Sequence, residues 1–182
     1  MKTKIFLIAI FAFLLLTALQ CKKEKPTLPP ETQEGKGTFG CLIDGEVFVD
    51  GWSPYLGHPA IQVLHLKYIN TLEIDAYLRP YGKMKIRIFN PTINTPTPIT
   101  FGEYYSLGNN NNTGCISFGG REIGEIVLTR FDTMPITIGS HVVSGRFKFD
   151  GQCLDLSMQP AGDLIKQITE GRFDLKFNFY NE

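Results

Sequence analysis

The sequence predicts an all-β protein, a single domain folded as an antiparallel β-sandwich or a flattened barrel. Three observations predict it. Apolar and polar residues alternate with a period of two through most of the chain after Gly37, as in strands with one wet face. Gly, Pro, Asn and Asp interrupt these runs about every ten residues, the spacing of turns in sandwiches and barrels. The composition of 14 Phe, 7 Tyr and 18 Gly suits half-buried pleated strands and tight turns, and no segment carries a convincing helical period.

Taken in order, Thr38–Ile43 and Glu46–Val49 flank Asp44-Gly45, a strong two-residue hairpin signal because both central residues of a type I′ turn need positive φ. Strands are expected over Ile61–Tyr68, Thr71–Leu78 and Met84–Phe89. In the second, Leu72, Ile74, Ala76 and Leu78 oppose Glu73, Asp75 and Tyr77; in the third, Met84, Ile86 and Ile88 oppose Lys85 and Arg87. Further strands are expected over Phe101–Leu107, Cys115–Phe118 and Glu125–Phe131. Val142–Phe149 follows, then a turn at Asp150-Gly151 and a returning partner, Cys153–Met158. A turn over Pro160–Asp163 and a last strand, Leu164–Tyr180, complete the domain.

Two of these strands echo each other. Gly145-Arg146-Phe147 and Gly171-Arg172-Phe173 lie in runs that put Val143, Phe147 and Phe149, or Phe173, Leu175, Phe177 and Phe179, on one face. Ser144, Arg146 and Lys148, or Arg172, Asp174 and Lys176, fall on the other. Burying one Phe contributes about 1.5–3 kcal/mol, so these rows are expected at the heart of the core. Gly145 and Gly171 inside strands imply bulges or close backbone approach.

The amino terminus has the shape of an export signal. Lys2 and Lys4 precede the apolar run Ile5–Leu16, which is shorter than the about 20 residues a membrane-spanning helix needs. Cys21 follows, trailed by Lys22-Lys23-Glu24-Lys25. This resembles a bacterial lipoprotein signal over residues 1–20, cut before Cys21, which would then carry the lipid; Ala18 and Gln20 depart from the usual residues at their positions. Residues 21–37, with Pro26, Pro29 and Pro30, then read as the lipidated cysteine and a flexible tether, and 38–182 as the domain. Loss of residues 1–20 leaves 16 basic against 18 acidic residues, a net charge of −2, with no basic footprint for nucleic acid.

The stretches Gly37-Thr38-Phe39-Gly40-Cys41-Leu42-Ile43-Asp44-Gly45, Leu128-Thr129-Arg130-Phe131-Asp132 and Ile168-Thr169-Glu170-Gly171-Arg172-Phe173-Asp174 resemble a family of uncharacterised lipoproteins of Bacteroidota. The resemblance covers the opening hairpin and the chain from Leu128 onward. It implies a lipid-anchored location at the outer membrane and a β-fold, and it brings no catalytic residues.

Chemistry is sparse. His58, His65 and His141 are widely spaced, there is no C-x-x-C, and neither a metal nor another cofactor is expected. Apart from Cys21, the cysteines Cys41, Cys115 and Cys153 allow one disulfide, and Cys41 with Cys115 is the pairing expected. Glu73 and Asp75, like Asp44, Glu46 and Asp50, are expected to be solvated strand and turn charges and not the acid pair of a glycosidase. Trp52, Tyr55 and His58 share a Gly- and Pro-rich loop and form the candidate ligand site, since aromatics stack on sugars or anchor partners. Asp132-Thr133-Met134 resembles the tripeptide that receives O-linked glycans in exported Bacteroidota proteins, with Thr133 as acceptor. The expected function is a non-catalytic binding or adhesion module that meets a glycan or an envelope protein. The alternatives are an accessory subunit of an envelope complex and, further off, a polysaccharide hydrolase.

Overall fold

A computed structural model describes residues 26–51, 53, 59–79, 82–106, 114–118, 124–132, 141–154 and 160–177. The strands are β1 (Thr38–Ile43), β2 (Glu46–Asp50), β3 (Ile61–Leu66), β4 (Thr71–Arg79), β5 (Gly82–Phe89) and β6 (Thr97–Pro98). They continue as β7 (Phe101–Ser106), β8 (Gly114–Phe118), β9 (Gly124–Phe131), β10 (His141–Leu154) and β11 (Pro160–Phe177). A 3-10 turn, Lys67–Ile69, joins β3 to β4. All strands belong to one antiparallel sheet that curls into a half-barrel, in the order β11-β1-β2-β4-β5-β7-β8-β10-β9-β6, with β3 on the edge of β4.

Local chemistry sets the first hairpin. Asp44 and Gly45 both take positive φ, 50° and 82°, as the type I′ turn requires. The Asp44 carboxylate then reaches across to β11, accepting from the Gln167 amide at 3.0 Å and pairing with the Lys166 ammonium. On β4 and β5 the alternation expected from sequence holds: Leu72, Ile74, Ala76, Met84, Ile86 and Ile88 are fully buried.

The carboxy-terminal third differs from expectation. Asp150-Gly151 is not a turn, because β10 runs through it and pairs Asp150 with Gln167 and Gly151 with Lys166. Pro160–Asp163 likewise lies within β11. The two strands form one long hairpin, and its register pairs the two echoed triplets with each other: Gly145 with Phe173, Arg146 with Arg172, Phe147 with Gly171. Each glycine therefore lies beneath a phenylalanine of the other strand. A Cβ on Gly171 would sit 2.5 Å from the Phe147 ring, and one on Gly145 would sit 2.9 Å from the Phe173 ring. Phe39 from β1 completes a triangle, with ring centroids 5.2 Å from Phe147 and 6.5 Å from Phe173. Such pairs add about 0.5–1.5 kcal/mol each beyond burial.

A bulge explains part of the curl. Between Ile168 and Gly171, β11 advances three residues while β10 advances two, from Phe149 to Phe147, and β1 shows the same step between Leu42 and Gly40. Glu170, at φ 48°, takes the left-handed conformation there. An extra residue of this kind bends its strand and increases its twist.

The expected disulfide is corrected. Cys115 on β8 stands opposite Cys153 on β10, and these two are bridged. Cys41 on β1 faces the core beside Phe39 and is free; its burial pushes the thiol pKa up to about 12. The pair could not be chosen from sequence because the bridge depends on which strands β8 and β10 become neighbours. Among the described residues two rungs join them, so the bridge also fastens a short joint in the sheet.

Within the segment expected as a flexible tether over 21–37, the chain from Pro29 to Gly37 packs along the outer face of β10 and β11. Arg172 donates to the Pro29 carbonyl at 3.4 Å, Arg130 to the Gln33 carbonyl at 2.6 Å, and the Gly37 amide to the Asp174 carbonyl at 2.8 Å. These bonds tie the strap to the sheet.

Two outcomes are expected in urea unfolding. Gly171→Ala loses about 1–3 kcal/mol, the usual range for overpacking, and Phe147→Leu in the same chain restores part of it. Unchanged stability in Gly171→Ala would show that the ring does not lie on the glycine. Cys153→Ser loses about 4 kcal/mol on the chain-entropy account of a bridge spanning a separation of 38 residues.

Candidate functional site

Trp52, Tyr55, His58 and Thr133 lie outside the described residues. The described surface offers another site, at the place where the strap crosses the echoed strands.

The strap is held by one buried carboxylate. Asp174 on β11 was expected on the wet face, yet the strap covers it and leaves the residue only 1 % exposed. Its register partner Ser144 is buried with it and donates at 2.6 Å. From the strap, the Thr32 hydroxyl donates at 2.5 Å, and the amides of Glu34, Gly35 and Lys36 donate at 3.1, 2.8 and 3.1 Å. Gly35 has φ 69°, and a side chain there would meet Lys176 at 2.6 Å, so the local backbone can wrap the carboxylate only as glycine. Burial alone would raise the Asp174 pKa, but the bonds from Ser144, Thr32 and the Lys36 and Gly35 amides outweigh it and hold it at about 2. Sequence reasoning missed this anchor. The available signal was the glycine pair Gly35 and Gly37 just before the domain.

Beside the anchor the strap forms one wall of a groove of about 390 Å³ with β9, β10 and β11. Arg146 and Arg172, directly opposite each other in register, project into it. Like charges in that position repel. Glu31 of the strap lies between them, 4.0 Å from Arg146 and 3.8 Å from Arg172. These are loose contacts. Arg172 makes two further bonds of 3.4 and 3.5 Å, to Pro29 and Glu170. Arg87 and Arg130, by comparison, close carboxylate bonds of 2.5–2.8 and 2.9–3.0 Å. The groove arginines thus keep much of their hydrogen-bonding capacity. Glu125, paired with Lys148 at 3.0 Å, and Glu170 line the same groove.

Glu170 is the bulged residue with positive φ, a conformation that costs about 1–2 kcal/mol for a residue with a side chain. Strain of this kind gathers at functional sites. A larger hollow of about 510 Å³ lies where β3 faces Lys176 and Phe177. Glu73 is firmly engaged, bonding Lys85 at 3.0 Å and Arg87 at 2.5 Å, while Asp75 makes longer ion pairs with Lys83 at 3.4 Å and Lys85 at 3.6 Å and its buried Oδ1 accepts no hydrogen bond from the described residues. Burial would raise the Glu73 pKa, but these partners lower it, which suits a charge ladder and not a proton donor. His65 packs edge-on against Phe131 with centroids 5.0 Å apart, and His141 lies 5.4 Å from Phe177. Among the described residues, no group of three or more His, Cys, Asp or Glu is placed to hold a metal ion.

No family model, no curated protein and no solved structure matches this chain.

Asp174 generates a pH dependence with a definite sign. Its folded pKa of about 2 lies below the ordinary 3.8, so its contribution is complete above about pH 4 and is lost as the pH falls toward 2. Exchange at the Gly35 and Lys36 amides, taken relative to the intrinsic rate at each pH, should accelerate across that window. In Asp174→Asn it should be fast throughout, with about 2–3 kcal/mol lost because buried donors lose their acceptor. Slow exchange in the variant would remove Asp174 as the anchor. Glu170→Gly should gain about 1 kcal/mol in urea unfolding, and a loss would show that the bulge is not strained.

Proposed function

We propose that this protein is a lipid-anchored lipoprotein of the bacterial envelope, held at the outer membrane through Cys21, whose half-barrel is a non-catalytic binding module. The export-like segment 1–20, the cysteine that follows it and the resemblance to Bacteroidota lipoproteins support the anchor. The Cys115–Cys153 bridge fits an oxidising compartment outside the cytoplasm. The observation that carries the binding reading is the groove itself: two opposed arginines, loosely engaged, at a strained bulge and beside a strap locked to the domain. The acidic groups Glu73, Asp132 and Asp174 all have lowered pKa values, the opposite of what a general acid needs.

A second reading has its own observation. At one end of the barrel Tyr68, 80 % exposed, stands with Ile69 and Phe89, where the Asn70 and Asn90 side chains bond at 3.0 Å and tie two turns together. Such an apolar rim favours an accessory subunit that docks on a larger envelope complex.

Metabolic labelling with a fatty-acid analogue tests the anchor. Label is expected in the wild type and none in Cys21→Ala; an unlabelled wild type would defeat the lipoprotein reading.

A further inference from the structure

We infer that the groove binds an acidic sugar, a hexuronate unit of a polysaccharide, through Arg146 and Arg172, and that Glu31 of the strap is the internal stand-in for its carboxylate. The inference rests on the binding-module reading and names the ligand class for it.

The geometry asks for an anion at one point. Two guanidinium groups opposed across a rung repel unless a negative charge stands between them, and each is a planar fork suited to a carboxylate. The chain itself provides a carboxylate at that point, but at 3.8–4.0 Å Glu31 sits beyond hydrogen-bond distance of both. An external carboxylate that approaches to bonding distance gains bonds Glu31 does not make. The Arg146 side chain is 57 % exposed, so a ligand can reach it without the sheet opening.

The rest of the groove narrows the class. Glu125 and Glu170 lie around the arginines. They are acceptors, and a sugar ring offers hydroxyl donors around a single carboxylate. Half-buried Val127, beside Gly171, gives a small apolar patch for the ring's carbon face. At about 390 Å³ the groove falls within the usual range of small-ligand sites.

The strap gives the site a built-in competitor. The ligand has to displace Glu31, while Asp174 keeps the neighbouring strap residues in place, so binding exchanges one carboxylate for another and does not unfold the strap.

Titration calorimetry on the full-length protein, purified from membranes in detergent, tests this with trigalacturonate, the neutral trigalactose and tetraglutamate. Trigalacturonate should bind, and trigalactose should not at the same concentrations. Arg146→Gln should weaken trigalacturonate binding about tenfold or more, and Glu31→Gln should strengthen it severalfold by removing the competitor. Slow amide exchange at Gly35 in both variants checks that the strap is still docked. No binding of trigalacturonate to either wild type or Glu31→Gln would overturn the inference. So would binding that Arg146→Gln leaves unchanged, or tighter binding of tetraglutamate, which would make the ligand an acidic peptide. Binding of trigalactose indifferent to Arg146→Gln would overturn this groove and leave the binding-module reading standing. A glycan and envelope-protein array with no binder of any class would count against that reading itself.

Discussion

Each Gly-Arg-Phe triplet supplies the glycine beneath the other's phenylalanine ring, and this exchange fixes the register of the longest hairpin in the protein. Side chains alternate between the faces of a strand, so a slip of one residue would put the two Phe rows on opposite faces and turn one of them outward. A slip of two would put a ring over a residue with a Cβ. The remaining features follow from that one alignment. Arg146 must face Arg172, and Ser144 must face Asp174, because each pair is a fixed number of residues from the triplets. Phe39 can close its triangle with Phe147 and Phe173 only where those two rings already meet.

The outer face then has two problems of charge, and the strap answers both. An Asp opposite a Ser needs more donors if it is to be buried, and Thr32 with the backbone amides at Glu34, Gly35 and Lys36 supplies them. Opposed arginines need an anion, and Glu31 supplies one at longer range. The two answers differ in quality. Asp174 is satisfied by short bonds and buried; the arginines are held loosely in an open groove. That difference marks the first as structural and the second as a site where something else can bind.

Much of the fold was legible in the sequence, and the losses have physical causes. The period of two placed Leu72, Ile74, Met84 and Ile86 inside and Glu73, Lys85 and Arg87 outside, because each strand's faces are decided locally. The Asp44-Gly45 turn was legible for the same reason. Asp150-Gly151 looks identical to a turn dipeptide, but β10 continues through it because Asp150 and Gly151 pair with Gln167 and Lys166 of β11. The disulfide, the strap and the groove were not legible. Each depends on which strands become neighbours, and Asp174 in particular reads as a solvated strand charge until the segment that covers it is known.

The shared register of the two triplets can be observed directly by proton NMR of the folded protein. The Gly171 Hα protons should be shifted strongly upfield by the Phe147 ring and show cross-relaxation with it, and Gly145 should show the same with Phe173. Glycine Hα shifts of ordinary value, with no cross-relaxation to either ring, would contradict the register from which the anchor, the arginine pair and the groove have all been derived.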